Sequence, residues 1–333
     1  MADEEKEQQK QGEMEELPVI LQLRPVPAIT PVEEQFLKKF RFLKAWESSM
    51  PTELFLTTYA QSVRVLLCHG GTPVTADTIR CLPSLQCVIA TSAGLNHIDL
   101  TECRKRDIAI ANAGDCYSEN GADYAIGLLL DVLRQFSASD RYVRQGLWPV
   151  KGAYPLGSKL GGKQVGIVGL GHIGSEVAKR LVAFGCSISY NSRKKKPSVA
   201  FPFYSDVRDL AANSDALILC CGLTKETYHI INRDVLLALG EKGVIINIGR
   251  GAIIDEKELI QCLMQGEIGG AGLDVFENEP DVPKELLAMD NVVLSPHKAV
   301  LTPEAIVSLQ DLLMANLEAF FSNKPLVSEV KDE

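Results

Sequence analysis

The chain has 333 residues, 46% of them hydrophobic, enough material for two globular cores of ordinary domain size. A formal net charge of -9 disfavours the dense basic face that phosphate-tracking proteins use, so nucleic acid is not an expected partner. Nine cysteines at irregular spacing, with no CxxC and no clustered His/Cys, argue against a disulfide framework and a metal site; a reduced compartment fits them better.

Residues 1–17 begin Met1-Ala2-Asp3-Glu4-Glu5-Lys6-Glu7, too charged to bury apolar surface, and are expected to form a disordered acidic tail. This start lacks the apolar core of a signal peptide and the acid-poor composition of a transit peptide, and Val330-Lys331-Asp332-Glu333 is no retention or peroxisomal signal. No apolar run reaches the roughly 18 residues of a membrane span. The expectation is a cytoplasmic protein with no membrane partner.

From Pro18 onward, apolar runs at Val19–Leu23, Val63–Leu67, Leu85–Ala90 and Ile108–Ala111 alternate with amphipathic stretches. Continuous apolar strands separated by helices imply a parallel sheet covered on both faces. A long helical stretch from about Ser118 to Gln145 follows, suited to a bridge between domains or subunits. A second set of strands starts at Gln164, Ser187, Ala216, Val244, Gly270 and Val292, the six that a doubly wound dinucleotide fold requires. Pro303 opens a last helix, to about Phe321, expected to return to the first domain. The fold class is therefore α/β with two doubly wound parallel-sheet domains: a flavodoxin-like substrate domain over 18–117 and 301–333, and a Rossmann domain over 118–300.

Gly169-Leu170-Gly171-His172-Ile173-Gly174 lies between the first strand of the second domain and the helix that begins Ser175-Glu176-Val177. Its first glycine allows a tight turn, the second lets backbone approach a pyrophosphate, and the third lets helix meet sheet, with the helix N-terminus toward the phosphates. An Asp or Glu about twenty residues on would select NAD(H) through the ribose 2'-hydroxyl. Here the next strand ends Tyr190-Asn191-Ser192-Arg193-Lys194, with no acid. Arg193 and Lys194 can pair with a 2'-phosphate and Ser192 can donate to it, so NADP(H) is the expected cofactor.

Arg250 in Ile248-Gly249-Arg250-Gly251, Asp274 in Leu273-Asp274-Val275 and His297 in Ser295-Pro296-His297 each follow a strand, at the edge where open parallel sheets bind ligands. An Arg can fork onto a carboxylate, a His can protonate a carbonyl oxygen, and Glu279 in Glu277-Asn278-Glu279-Pro280 can keep that His charged. The set suggests hydride transfer to a carbonyl acid. Cys220-Cys221, on an apolar run, reads as small core hydrophobes.

These motifs, with Ser92-Ala93-Gly94, resemble the D-2-hydroxyacid dehydrogenase family from about Val19 to Leu326. Within it the chain looks most like the plant NADPH-dependent hydroxypyruvate, glyoxylate and hydroxyphenylpyruvate reductases, notably in Ile188-Ser189-Tyr190-Asn191-Ser192-Arg193-Lys194. The resemblance implies that backbone amides of Ala93 and Gly94 and the guanidinium of Arg250 hold the substrate carboxylate, that His297 is the general acid, and that Glu279 supports it. It places Cys221, Ile248, Gly249 and Asp274 on the cofactor side, with a strand-end cap as the alternative for Asp274. Family members dimerise through the region after Ser118, and Trp148 is a candidate for the partner's pocket. The family's proline after the fourth strand is absent, with Gly114 near that place, and Lys298, Ala299 and Val300 replace its small residues after the His. Substrate side-chain size falls to the loop Cys68-His69-Gly70-Gly71-Thr72. Hydroxypyruvate and glyoxylate are preferred, with 4-hydroxyphenylpyruvate the alternative. A dinucleotide-sensing corepressor-like binding protein is the rival of another class, disfavoured by Ser192-Arg193-Lys194, and a formate dehydrogenase would resemble Gln at the position of Glu279.

Overall fold

Runs of β-branched and aliphatic residues, each long enough for one short strand, build two parallel sheets. The computed structural model describes residues 17–331. The tail expected over 1–17 lies outside the described residues except for Leu17, which is exposed. Residues up to Gly114 together with those from Ile306 form one compact unit, and Asp115–Ala305 forms the other.

The first unit contains β1 (Val19–Gln22), β2 (Arg41–Lys44), β3 (Val65–Cys68), β4 (Cys87–Ala90) and β5 (Ala109–Ala111), in the sheet order β2-β1-β3-β4-β5. Four of these match the apolar runs in the sequence. The fifth, β2, pairs with β1 from Val19↔Arg41 to Gln22↔Lys44 and carries no apolar run, because it is an edge strand with partly exposed side chains. Both faces of the inner strands are covered: every residue of β3 and β4 is buried. The helix Pro303–Phe321 continues into this unit, where Gln310 donates to the Ala28 carbonyl at 2.7 Å and Glu318 pairs with Lys39.

The second unit contains β6 (Gln164–Val168), β7 (Ser187–Asn191), β8 (Ala216–Leu219), β9 (Val244–Asn247), β10 (Gly270–Leu273) and β11 (Val292–Leu294), in the order β11-β10-β9-β8-β6-β7. The chain runs outward from β6 to β7, then crosses back to β8. That reversal between β6 and β8 is the topological switch point at which such sheets bind ligands. One face is covered by the helices Ser118–Arg134 and His172–Ala183 through Leu129, Val177 and Leu181, the other by Val207–Ala212, Arg233–Leu239 and Glu256–Met264. Ile167, Leu217, Ile218, Ile245 and Ile246 have no exposed surface, and each such side chain contributes roughly 1.5–3 kcal/mol of burial.

The long helix expected from Ser118 to Gln145 is two helices, Ser118–Arg134 and Phe136–Arg144. Gln135 takes a left-handed conformation, φ 57°, and donates its N–H to Asp131. The Asp131 carboxylate then accepts the Ser137 N–H at 2.8 Å and the Ser137 hydroxyl, which starts the second helix. Among the described residues, no helix is long and apolar enough to cross a membrane.

Candidate active site

Three neighbouring strands end together. Leu273 of β10 is in register with Asn247 of β9 on one side and Leu294 of β11 on the other, so the loops that follow leave one edge of the sheet. These loops carry Arg250, the 274–280 segment and His297.

Asn247, fully buried, shapes the first loop: its Oδ1 accepts the Gly249 N–H at 3.0 Å and its Nδ2 donates to the Arg250 carbonyl at 2.9 Å. Arg250 is thereby held in extended backbone, and its Nη1 donates to the Gly249 carbonyl at 2.8 Å. Burial pulls the Arg250 guanidinium below its ordinary range, and the negative charge of Glu279 pushes it back. Gly251 admits no side chain, because a Cβ there would fall on the Phe276 carbonyl and crowd the Glu277 nitrogen. The Arg250 loop and the Glu279 loop therefore touch backbone to backbone.

Asp274 organises the His297 loop. Its buried carboxylate accepts the Ser295 hydroxyl at 2.6 Å and the N–H groups of Lys298 at 2.9 Å and Ala299 at 2.8 Å, while its carbonyl accepts the His297 N–H at 2.7 Å. His297 itself stands at φ 49°. Asp274 thus makes the bonds of a strand-end cap, the alternative to the cofactor-side contact that the resemblance implies.

The His297 Nδ1 lies 2.6 Å from Oε2 of Glu279, and the other Glu279 oxygen accepts the Phe276 N–H at 3.1 Å. Both side chains stay accessible, 43% and 34% exposed, so the pair can meet a ligand. With Nδ1 facing the Glu279 carboxylate, Nε2 is the ring nitrogen left to deliver a proton. The structure thus brings Glu279 and His297 into contact, with Arg250 within electrostatic reach of Glu279.

At the dinucleotide end, Gly169 turns at φ 94° and would place a Cβ 2.5 Å from the Cys221 nitrogen, so no larger residue fits. Gly174 packs just as closely on the Gly169 carbonyl. A Cβ at Gly171 would meet only open space, and Gly171 starts the helix His172–Ala183 with no side-chain cap. That combination of open space and helix N–H donors, on which Leu170, His172 and Ile173 flank the turn, fits a dinucleotide pyrophosphate. Gly249 also approaches the Cys221 carbonyl, 2.9 Å from where its Cβ would stand, which puts Gly249, next after Ile248, beside Cys221 at this edge. Burial pushes the Cys221 thiol up to about 11 and raises Cys220 as well, consistent with small packed side chains. In the turn after β7 the Ser192 hydroxyl donates to the Lys194 carbonyl at 2.7 Å, and Arg193 and Lys194 are exposed.

In the first unit, Ala93 and Gly94 follow β4. Their carbonyls accept from Asn112 Nδ2 at 2.9 Å and from the Ser92 hydroxyl at 2.8 Å. The His69 ring folds over Gly71, accepting its N–H at Nδ1 at 3.0 Å, so Nε2 carries the ring proton. Burial and the Arg24 charge lower the pKa of His69. Trp148 is 62% exposed. Among the described residues, no three His, Cys, Asp or Glu are grouped to hold a metal ion.

Two features escaped the sequence. Asn247 was given no role; an amide at a strand end ahead of Ile248-Gly249 was its signal. His229, 2.5 Å from Glu277, had none, since its partner lies 48 residues away.

Residues 126–299 match the family model described as D-isomer specific 2-hydroxyacid dehydrogenase, NAD binding domain. A glyoxylate/hydroxypyruvate reductase of Arabidopsis thaliana is 53% identical over 323 residues, covering 96% of this chain and 99% of that protein. A hydroxyphenylpyruvate reductase of Plectranthus scutellarioides is 46% identical over 304 residues, covering 91% and 96%. Among solved structures, an NADPH-dependent glyoxylate/hydroxypyruvate reductase of Sinorhizobium meliloti in complex with NADP and malonate superposes with a TM-score of 0.86 at 36% identity, covering 95% of this chain and 97% of that one.

Proposed function

The chain belongs to the D-isomer specific 2-hydroxyacid dehydrogenase family, an oxidoreductase family, and from that premise we propose that it reduces hydroxypyruvate or glyoxylate to the D-2-hydroxy acid with NADPH. The observation that carries this reading is the 2.6 Å contact between His297 and Glu279, on a sheet edge shared with Arg250.

The Arg250 guanidinium takes the substrate carboxylate and polarises the adjacent carbonyl. The N–H groups of Ala93 and Gly94, the latter in the peptide that Asn112 fixes at the Ala93 carbonyl, are proposed to bind a substrate carboxylate. A reduced nicotinamide dinucleotide, its pyrophosphate held at the glycine turn, would supply the hydride. His297 gives the Nε2 proton to the carbonyl oxygen as negative charge grows there, and Glu279 stabilises the imidazolium until that moment. Asp274 and Asn247 hold the two loops so that Arg250 and His297 keep their places.

Preference for NADPH rests on Ser192, Arg193 and Lys194 and on the absence of an acid at the end of β7. A homodimer is proposed through the segment after Phe136, where Phe136, Val143, Trp148, Val150 and Leu156 are exposed, Leu156 at 98%. Light scattering tests it, with a monomer as the opposing result. A cytoplasmic location is proposed from nine cysteines, none of them in a disulfide.

Side-by-side kcat/KM with NADPH for hydroxypyruvate, glyoxylate, pyruvate and 4-hydroxyphenylpyruvate tests the substrate assignment, and hydroxypyruvate and glyoxylate are expected to lead. The relative from Plectranthus scutellarioides supports the second reading, which a lead for 4-hydroxyphenylpyruvate would establish.

A further inference from the structure

We propose that His229 is a positioning residue for the acid–base pair: through Glu277 it fixes the turn that presents Glu279 to His297. His229 lies outside the catalytic trio, in a segment laced to the chain just beyond Arg250. Its N–H donates to the Ala252 carbonyl at 2.9 Å, and Ile231 then donates to Ile253 at 3.1 Å and accepts from Asp255 at 2.9 Å. Its ring reaches the other way, with Nε2 2.5 Å from Glu277 Oε1 and Nδ1 3.5 Å from Asp255 Oδ2. The Tyr228 ring stacks on it with centroids 4.0 Å apart.

Glu277 is consequently held at both ends. Its side chain is bound by His229, and its N–H donates to Glu256 Oε2 at 3.2 Å. Only Asn278 separates it from Glu279, whose Oε1 is already fixed by the Phe276 N–H at 3.1 Å. The loop that carries Arg250 and the turn that carries Glu279 therefore share one frame, joined at Glu277 by the side chains of His229 and Glu256.

The groups facing the imidazole are Glu277 and Asp255, with the Tyr228 ring against its face and Glu256 behind the Glu277 backbone. A neutral ring can donate to only one of the two carboxylates and turns a lone pair on the other; a charged ring serves both. The charged ring and the neutral ring protonated at Nε2 both keep the Glu277 bond. What matters for the reaction is that bond, because a turn released at Glu277 lets Glu279 drift from His297, and an imidazolium without its anion surrenders its proton sooner.

The inference rests on His297 being the proton donor. The deciding variant is His229→Asn: asparagine is at ease at φ 49°, and its side chain is too short to reach Glu277. Hydroxypyruvate reduction with NADPH is followed from pH 5 to 10 in the full-length enzyme. The expected result is a kcat lower by roughly 10- to 10²-fold, the usual effect of a small misplacement, with the alkaline fall of kcat/KM moved to lower pH. The KM for NADPH should hold, and His229→Gln, which keeps a donor in reach of Glu277, should recover most of the loss.

Through-space loss of a positive charge would move the alkaline fall to higher pH, opposite to the positioning effect. That outcome, an unmoved profile, or a loss equal at every pH would overturn the inference. His229→Gly, unstrained at this φ, makes the same comparison if His229→Asn does not fold. The control is Glu279→Gln in the same assay. If it leaves the alkaline fall in place, the reading of His297 fails, and the inference with it; if it shifts the fall while His229→Asn does not, the inference alone fails.

Discussion

Asp274 grips the loop of His297 with both its backbone and its side chain. Its carbonyl accepts the His297 N–H at 2.7 Å, and its carboxylate binds the next two N–H groups and the Ser295 hydroxyl. A buried carboxylate spent in this way sets where the imidazole stands.

Asp274→Asn keeps the volume but turns one accepting oxygen into a donor facing N–H or O–H donors. The expected cost is about 1–3 kcal/mol of stability for the group left unpaired, with a fall in kcat and little change in NADPH affinity. Denaturant melts and fluorescence titration with NADPH check both parts. A loss confined to NADPH binding would make the nicotinamide contact the main role of Asp274.

Gly251→Ala places a methyl group on the Phe276 carbonyl, so the Arg250 and Glu279 loops must separate. Overpacking of this kind costs roughly 1–3 kcal/mol or more, and kcat should fall with it because both loops carry site residues. Wild-type stability together with wild-type kcat would contradict the close packing.

Neutralising Arg193 and Lys194 together should weaken NADPH by at least tenfold, since each hydrogen bond to a charged phosphate is worth roughly 1.5–3 kcal/mol, and should leave NADH nearly unchanged. Comparison of KM for the two cofactors reads this directly. Equal losses for both would remove these residues from the 2'-phosphate.

Burial raises the pKa of the Glu256 carboxyl, and the nearby Glu277 charge adds to the shift. A carboxyl that holds its proton more tightly in the fold than in the unfolded chain favours folding at low pH, and that advantage fades as pH rises through the folded value. Glu256→Gln, still able to accept the Glu277 N–H, should therefore have a higher Tm than the parent at pH 8, with the difference shrinking toward pH 4. A lower Tm at pH 8 would show that the charged form of Glu256 is needed.

The parts legible in the sequence were those encoded locally. Gln164-Val165-Gly166-Ile167-Val168 and the glycines after it announce strand, turn and helix in one stretch, and Arg250 and His297 each sit a few residues beyond an apolar run. The edge strand Arg41–Lys44 was not legible, because a strand exposed on one side needs no apolar run. The break at Gln135 was equally hidden. No glycine or proline marks it, and the Asp131 cap that restarts the helix spans it from six residues before Ser137. The contact between His229 and Glu277 depends on the tertiary fold alone, and no spacing within either segment foretells it.

The central claim is that His297 supplies the proton that completes reduction of a 2-oxo acid. Steady-state oxidation of NADPH by hydroxypyruvate, measured for the parent enzyme and for His297→Ala, tests it most directly. The account predicts a kcat lower by roughly 10² to 10⁴ in the variant, the usual worth of a positioned general acid, with NADPH affinity retained. Parental turnover in His297→Ala would contradict it.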